Sequence, residues 1–226
     1  MDPKTATLIW QEDGSPRSLQ FDDPYFSAEG GLAEAEHVFL AGNNLPARFK
    51  PGFHIAELGF GTGLNLLVAW QAWQRCGAAG SLRFTSFEAY PLTRKDLEKA
   101  LANWPDLAAL AAPLIDAWPC TTLKLPSLDF ELVAGHVSKT LPAWQGRADA
   151  WFLDGFSPNK NPEMWSEILM ADVAQHTAPN GRFATYTAAG HVRRSLQSAG
   201  FDVRRIKGFG RKRHMSVGHL KRQTPI

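Results

Sequence analysis

The chain is poor in the residues that would place it among secreted or membrane proteins. It has only two cysteines in 226 residues, Cys76 and Cys120. They form neither a disulfide framework nor a zinc-ligand spacing, so the composition suits a reducing compartment. No apolar run approaches the length of a membrane span. The first residues, MDPKTATLIW, lack the basic stretch and apolar core of a secretion signal. Internal repeats and low-complexity tracts are missing as well. What remains is 44% apolar and 20% charged, the make-up of a soluble globular protein large enough to bury a sizeable core. The expected location is the cytoplasm, with no membrane contact and no bound metal.

The net charge of +2 conceals an uneven distribution. Residues 193–222 carry ten lysines and arginines against Asp202 alone, with Arg211, Lys212 and Arg213 in direct succession. A concentrated basic end on an otherwise mildly acidic chain suits a polyanionic partner such as nucleic acid; a solvated face with no partner is the alternative.

Residues 1–50 are mixed and read as an N-terminal extension packed on the core, with a hairpin around Gly14; residues 51–226 form the main domain. From HIAEL onward, strands alternate with helices. The strands are HIAEL, LRFTSFE, LDFELVAG, DAWFLDG and GRFATYT. The helices fall in TGLNLLVAWQAW, TRKDLEKALANW (capped by Thr93 with Asp96 three residues on), LAALAAPL, PEMWSEILMADVAQH and HVRRSLQSAG. That alternation predicts an α/β fold with a mainly parallel sheet covered on both faces. The last two strands, FDVRRIK and HMSVGHL, have no helix between them and should close the sheet as an antiparallel hairpin. Such an ending separates a Rossmann-like methyltransferase from a dinucleotide-binding dehydrogenase.

Three chemical features sit at predicted strand ends. ELGFGTGLN, residues Glu57 to Asn65, places Gly59, Gly61 and Gly63 at the exit of the first strand, spaced G-x-G-x-G. Glycines there permit positive φ and close approach of a ligand to the backbone. The spacing is not the G-x-G-x-x-G of a dinucleotide fold, and no Lys-Ser/Thr follows as in a P-loop. Glu88 ends the second strand 27 residues beyond Gly61, where a carboxylate can accept both hydroxyls of a ribose. Asp154 ends a buried apolar strand in AWFLDGFSPNKNP, and Gly155, Pro158 and Pro162 then break the chain into a stiff loop. Phe156 gives that loop an aromatic face on which a flat base could stack.

The stretches GLAEAEHVFLAGN, ELGFGTGLN, SFEAYPLTRKDL, DAWFLDGFSPNKNPEMW, HVRRSLQSAGF and KGFGRKRHM lie within residues 25–220, almost the whole chain. Together they resemble one family closely: the methyltransferase half of the bifunctional tRNA-modifying enzyme MnmC, and its stand-alone relatives. The resemblance implies an S-adenosylmethionine-dependent methyltransferase that converts the 5-aminomethyl group of a tRNA wobble uridine, 2-thiolated or not, to 5-methylaminomethyl. It implies that Glu57, Gly59, Phe60, Gly61, Thr62, Gly63 and Asn65 carry the cofactor's methionine end and Glu88 its ribose. Asp154, also beside the cofactor, and Phe156 would form the methyl-transfer site. Lys160, Asn161, Arg211, Lys212 and Arg213 would engage tRNA. Where the family usually has Gly-Asp after the third strand, this chain reads Gly135-His136. His136 can donate a hydrogen bond to the adenine ring but supplies no carboxylate. A flavin-dependent oxidase, as a further domain or a separate protein, would act upstream. Two alternatives are a methyltransferase with another amine substrate and a non-catalytic RNA-binding protein on the same fold.

Overall fold

The computed structural model describes residues 5–27 and 30–221. Arg222, the last basic residue of the C-terminal cluster, lies outside the described residues.

The N-terminal segment forms the expected hairpin and one strand more. β1 (Leu8–Trp10), β2 (Pro16–Ser18) and β3 (Asp23–Pro24) make a small antiparallel sheet. α1 (Gly31–Ala35) then continues into a wider helical turn at Glu36–Leu40. Val38, Phe39, Leu40 and Leu45 join the main core. Asn43 fixes this segment by donating from Nδ2 to the carbonyls of Phe39 (3.0 Å) and Trp151 (3.2 Å).

The alternating region follows as β4 (His54–Leu58), α2 (Leu64–Arg75), β5 (Leu82–Glu88), α3 (Arg94–Leu101) and α4 (Ala108–Ala117). Next come β6 (Thr122–Leu125), β7 (Leu128–Ala134), α5 (Val137–Thr140), β8 (Ala148–Leu153) and α6 (Glu167–Gln175). β9 (Thr177–Thr185), α7 (Gly190–Ser198), β10 (Phe201–Lys207) and β11 (His214–Leu220) complete the chain. The large sheet has the order β10-β11-β9-β8-β4-β5-β7-β6. Its five central strands are parallel. β11 runs antiparallel between β9 and β10, as the missing helix between the last strands predicts. Thr93 caps α3 by accepting from the Asp96 amide at 3.2 Å.

β6 is absent from the sequence reading. It pairs antiparallel with β7 across a turn at Pro126 and Ser127, with residues alternately exposed and half-buried. A four-residue edge strand next to a proline gives too short an alternation to stand out.

The apolar run of β8 is explained by its two neighbours. Trp151 and Leu153 point into a cluster with Leu169, Met170 and Phe183; Ala150 and Phe152 point into the other, with Phe39 and Phe84. A strand buried on both faces loses the polar alternation of a half-exposed one. Beyond the strand ends, backbone hydrogen bonds continue for one more residue. The Gly59 amide donates to Phe87 O (2.9 Å), Asp154 to Leu58 O (3.1 Å) and Gly135 to Glu88 O (2.8 Å). These bonds tie the three loops that carry the site to one another.

Candidate active site

A cavity of about 680 Å³ opens at the carboxyl ends of β4, β5, β7 and β8. β4 connects onward to β5 and β7 on one side, while β8 lies on its other side, so the cavity sits where the strand order reverses. Ligands of open α/β sheets bind at this kind of switch point.

The glycine turn holds one side. Gly59 has φ 89°, and a Cβ there would come within 2.7 Å of the Asp154 carbonyl oxygen. That contact excludes any larger residue. Gly61 donates its amide to Glu88 Oε2 at 3.1 Å, and Tyr90 donates its amide to Glu88 Oε1 at 2.8 Å. Glu88 thus has one oxygen fixed by each flanking loop and keeps lone pairs for a ligand. Burial pushes its pKa up, opposed by these amides. Thr62 lines the cavity. Gly63 lies behind the turn as the cap of α2. The Phe60 ring stacks on Trp118 at 5.1 Å, and the residue borders the cavity.

The structure changes the place of Glu57. It is fully buried and absent from the cavity wall, with Ser86 Oγ donating to Oε2 at 2.7 Å and Asn65 Nδ2 to Oε1 at 2.9 Å. It braces Asn65 and Ser86 beneath the cavity rather than lining it. Asn65 Nδ2 also donates to Asp154 Oδ2 at 2.7 Å, so one amide group spans two carboxylates. Burial, first of all, holds the Glu57 carboxyl well above the usual carboxylate range, and the nearby Asp154 charge adds to it.

Asp154 forms the floor between the glycine turn and the stiff loop. Its pKa is pushed up to about 7, chiefly by burial; the Asn65 hydrogen bond and the Lys212 charge oppose the rise, and Glu34 adds to it. The loop after it is pinned by hydrogen bonds at successive residues. Tyr186 Oη donates to Gly155 O at 2.8 Å, Trp165 Nε1 to Phe156 O at 2.8 Å, and the Ser157 amide to Asp23 Oδ2 at 2.8 Å. The Phe156 ring is not a free platform, as its position in a loop suggested. It stacks on Phe21 at 4.9 Å and meets the edge of Tyr25 at 5.2 Å, roofing the cavity together with the N-terminal sheet.

His136 borders the cavity beyond β7, with Nε2 3.4 Å from Tyr90 Oη. Lys160 and Asn161 lie at its rim, and the Lys160 ammonium bonds to the Asp22 carbonyl and carboxylate. Arg211 and Arg213 are exposed on the turn between β10 and β11. Lys212, which the resemblance assigns to tRNA, lies between them. Its Nζ reaches inward to Glu34 Oε1 at 2.7 Å and lies 4.3 Å above the Tyr186 ring.

Sequence reasoning missed Tyr25, Glu34 and Tyr186, all of which line the cavity. Tyr186 follows directly on the end of β9, so the strand-end rule that found Glu88 and Asp154 would have reached it. Glu34 and Tyr25 arrive from a separate segment by tertiary packing, and no local pattern marks them.

This donor set fits an adenosyl sulfonium cofactor. An open glycine turn, a strand-end carboxylate with unused lone pairs and the Gly135–His136 backbone share one wall, while a second acid lies deeper. A family model described as S-adenosyl-L-methionine-dependent methyltransferase matches residues 105–221. The tRNA 5-methylaminomethyl-2-thiouridine biosynthesis bifunctional protein MnmC of Marinomonas sp. (strain MWYL1) is 47% identical over 237 residues, covering 98% of this chain and 35% of its own. The protein of the same name from Caulobacter sp. (strain K31) is 48% identical over 227 residues, covering 94% and 38%. The chain therefore spans little more than a third of the curated relatives it matches. Among solved structures, MNMC2 from Aquifex aeolicus superposes with a TM-score of 0.74 at 25% identity, covering 100% of this chain and 73% of that one.

Proposed function

This chain belongs to the S-adenosyl-L-methionine-dependent methyltransferase family, and we propose that it methylates the primary amine of 5-aminomethyl(-2-thio)uridine at the wobble position of tRNA. The observation that carries this reading is Asp154, a partly buried acid with a pKa near 7, hydrogen-bonded on the floor of a cavity that has a cofactor wall on one side. The names of the MnmC relatives support the tRNA acceptor.

When bound, S-adenosylmethionine supplies an electrophilic methyl group. In our reading Gly59, Gly61, Thr62 and Asn65 hold its methionine end, Glu88 its ribose and His136 its adenine, with Phe60 and Gly63 shaping the turn. The protein's remaining task is to present an unprotonated amine in line. An aliphatic ammonium has a pKa near 10.4, and proton transfer from it to an ordinary aspartate costs about 9 kcal/mol. Transfer to Asp154 at about 7 costs about 5 kcal/mol. Asp154 therefore accepts the amine's hydrogen bond, orients its lone pair and lowers the cost of removing its proton. Most of the acceleration still comes from positioning. The Glu57–Asn65 pair fixes the carboxylate, and Phe156 forms one wall for the base. Lys160, Asn161, Arg211 and Arg213 surround the approach from the RNA side.

A flavin-dependent oxidase activity, on the same polypeptide or a separate one, precedes this step by exposing the amine. The reaction belongs in the cytoplasm with its tRNA; among the described residues no helix is long and apolar enough to cross a membrane. The test is incubation with labelled S-adenosylmethionine and tRNA lacking this methylation, followed by nucleoside analysis. Label should appear in 5-methylaminomethyl(-2-thio)uridine. Label confined to another nucleoside, or none in RNA, rejects the assignment.

A further inference from the structure

The cavity already receives one primary ammonium, and it belongs to the protein. Lys212 comes off the turn between β10 and β11 and carries its Nζ to 2.7 Å from Glu34 Oε1 and 4.3 Å above the Tyr186 ring. Glu34, Tyr186 and Lys212 share the cavity wall with Asp154. The Tyr186 hydroxyl is engaged with the Gly155 carbonyl, so the ring offers its face rather than its oxygen. A carboxylate beside the π face of an aromatic ring, close to a second acid, is a cage for an alkylammonium ion. The Glu34 side chain is only 14% exposed, so an empty cage would leave a poorly solvated carboxylate. The Lys212 side chain is 47% exposed and sits on a flexible four-carbon stem, so its withdrawal into water is sterically open.

We propose that Glu34 and the face of Tyr186 form the subsite for the acceptor's aminomethyl ammonium, and that Lys212 is a built-in competitor which the acceptor displaces. This inference rests on the amine-acceptor reading above. The exchange is charge-neutral for Glu34, because one primary ammonium replaces another. An acceptor of the same shape without the positive charge gains nothing by displacing Lys212. The device therefore selects amine over alcohol before any chemistry takes place.

The experiment is calorimetric titration of the whole chain, loaded with S-adenosylhomocysteine, with 5-aminomethyluridine and, as the uncharged control, 5-hydroxymethyluridine. Lys212→Met should bind the amine at least fivefold more tightly than wild type, with the alcohol unchanged. Glu34→Gln should lose the preference for amine over alcohol, and Tyr186→Phe, which keeps the ring face, should retain it. A Lys212–Glu34 bond that merely anchors the turn predicts the reverse for Lys212→Met: equal or weaker amine binding. That result, or no amine binding by either protein, overturns the proposal. Thermal melting confirms that each variant is folded; if Glu34→Gln is not, the Lys212→Met comparison alone decides. Failure here, with wild type still methylating tRNA in the assay above, removes only the competitor. Failure of that assay removes the acceptor reading itself.

Discussion

The two acids at the ends of β5 and β8, on either side of β4, are held in opposite ways. Glu88 takes backbone amides from Gly61 and Tyr90, groups that the fold itself positions. Asp154 takes a side-chain amide from Asn65 and feels the charges of Lys212 and Glu34, groups that can rotate or exchange. The cofactor half of the cavity is therefore built mainly from backbone. The half around Asp154 is built from side chains that the N-terminal segment and the C-terminal hairpin bring in. A site that binds the same cofactor in every turnover gains from rigidity. Under the function proposed above, a site that admits a base carried on a large RNA gains from parts that move.

The largest expected effect tests the acceptor half. Asp154→Asn keeps the shape and removes the charge, and single-turnover methyl transfer at saturating tRNA and cofactor should fall about 100-fold or more. Stability should move the other way. The folded pKa of about 7 lies above the unfolded value near 4, so the stability this acid contributes is full below about pH 4 and is lost as pH rises to 7. Above pH 7 the Asn variant should melt several degrees higher than wild type; a variant that melts lower and turns over at the wild-type rate makes Asp154 a mere turn former.

Next comes the cofactor half. Glu88→Ala removes one or two charge-assisted hydrogen bonds worth about 1.5–3 kcal/mol each, and cofactor affinity by calorimetry should drop at least tenfold while tRNA affinity holds. Equal losses in both ligands would mean that the two halves are not separate.

A smaller effect concerns the rim. Arg211→Ala with Arg213→Ala should weaken tRNA binding several-fold near 0.15 M salt and flatten the salt dependence of log affinity by about 1 to 2, with cofactor affinity unaltered. An unchanged slope in filter binding assigns these residues to solvent. The smallest belongs to Lys160→Ala. Its ion pair with Asp22 joins an exposed rim loop to an exposed turn, so melting should change by less than about 1 kcal/mol. A larger loss would show that the N-terminal sheet is clamped through this pair.

The parallel sheet, its antiparallel close and the positions of the glycine turn, Glu88 and Asp154 were all legible in the sequence. Each is marked locally, by alternation of strand and helix or by a polar residue ending an apolar run. The direction of side chains was not. Glu57 and Lys212 carry the residue types of a ligand contact and of a phosphate contact, yet Glu57 is sealed beneath the turn and Lys212 folds back over Tyr186. Phe156 is an aromatic on a loop, and Phe21, 135 residues earlier in the chain, occupies its face. Such contacts depend on which distant segment arrives, and a periodicity read along the chain holds no record of it.

The backbone bonds from Gly59, Asp154 and Gly135 to the adjoining strand ends act as a ruler. They carry the sheet's repeat, about 4.8 Å between neighbouring strands, into the cavity. The offset between the glycine turn and Asp154 is thus counted in strand spacings. Side-chain substitutions can change what is bound at each mark without changing the marks. In hydrogen–deuterium exchange these three amides should be released only with the sheet itself, later than those of the exposed residues 210–213.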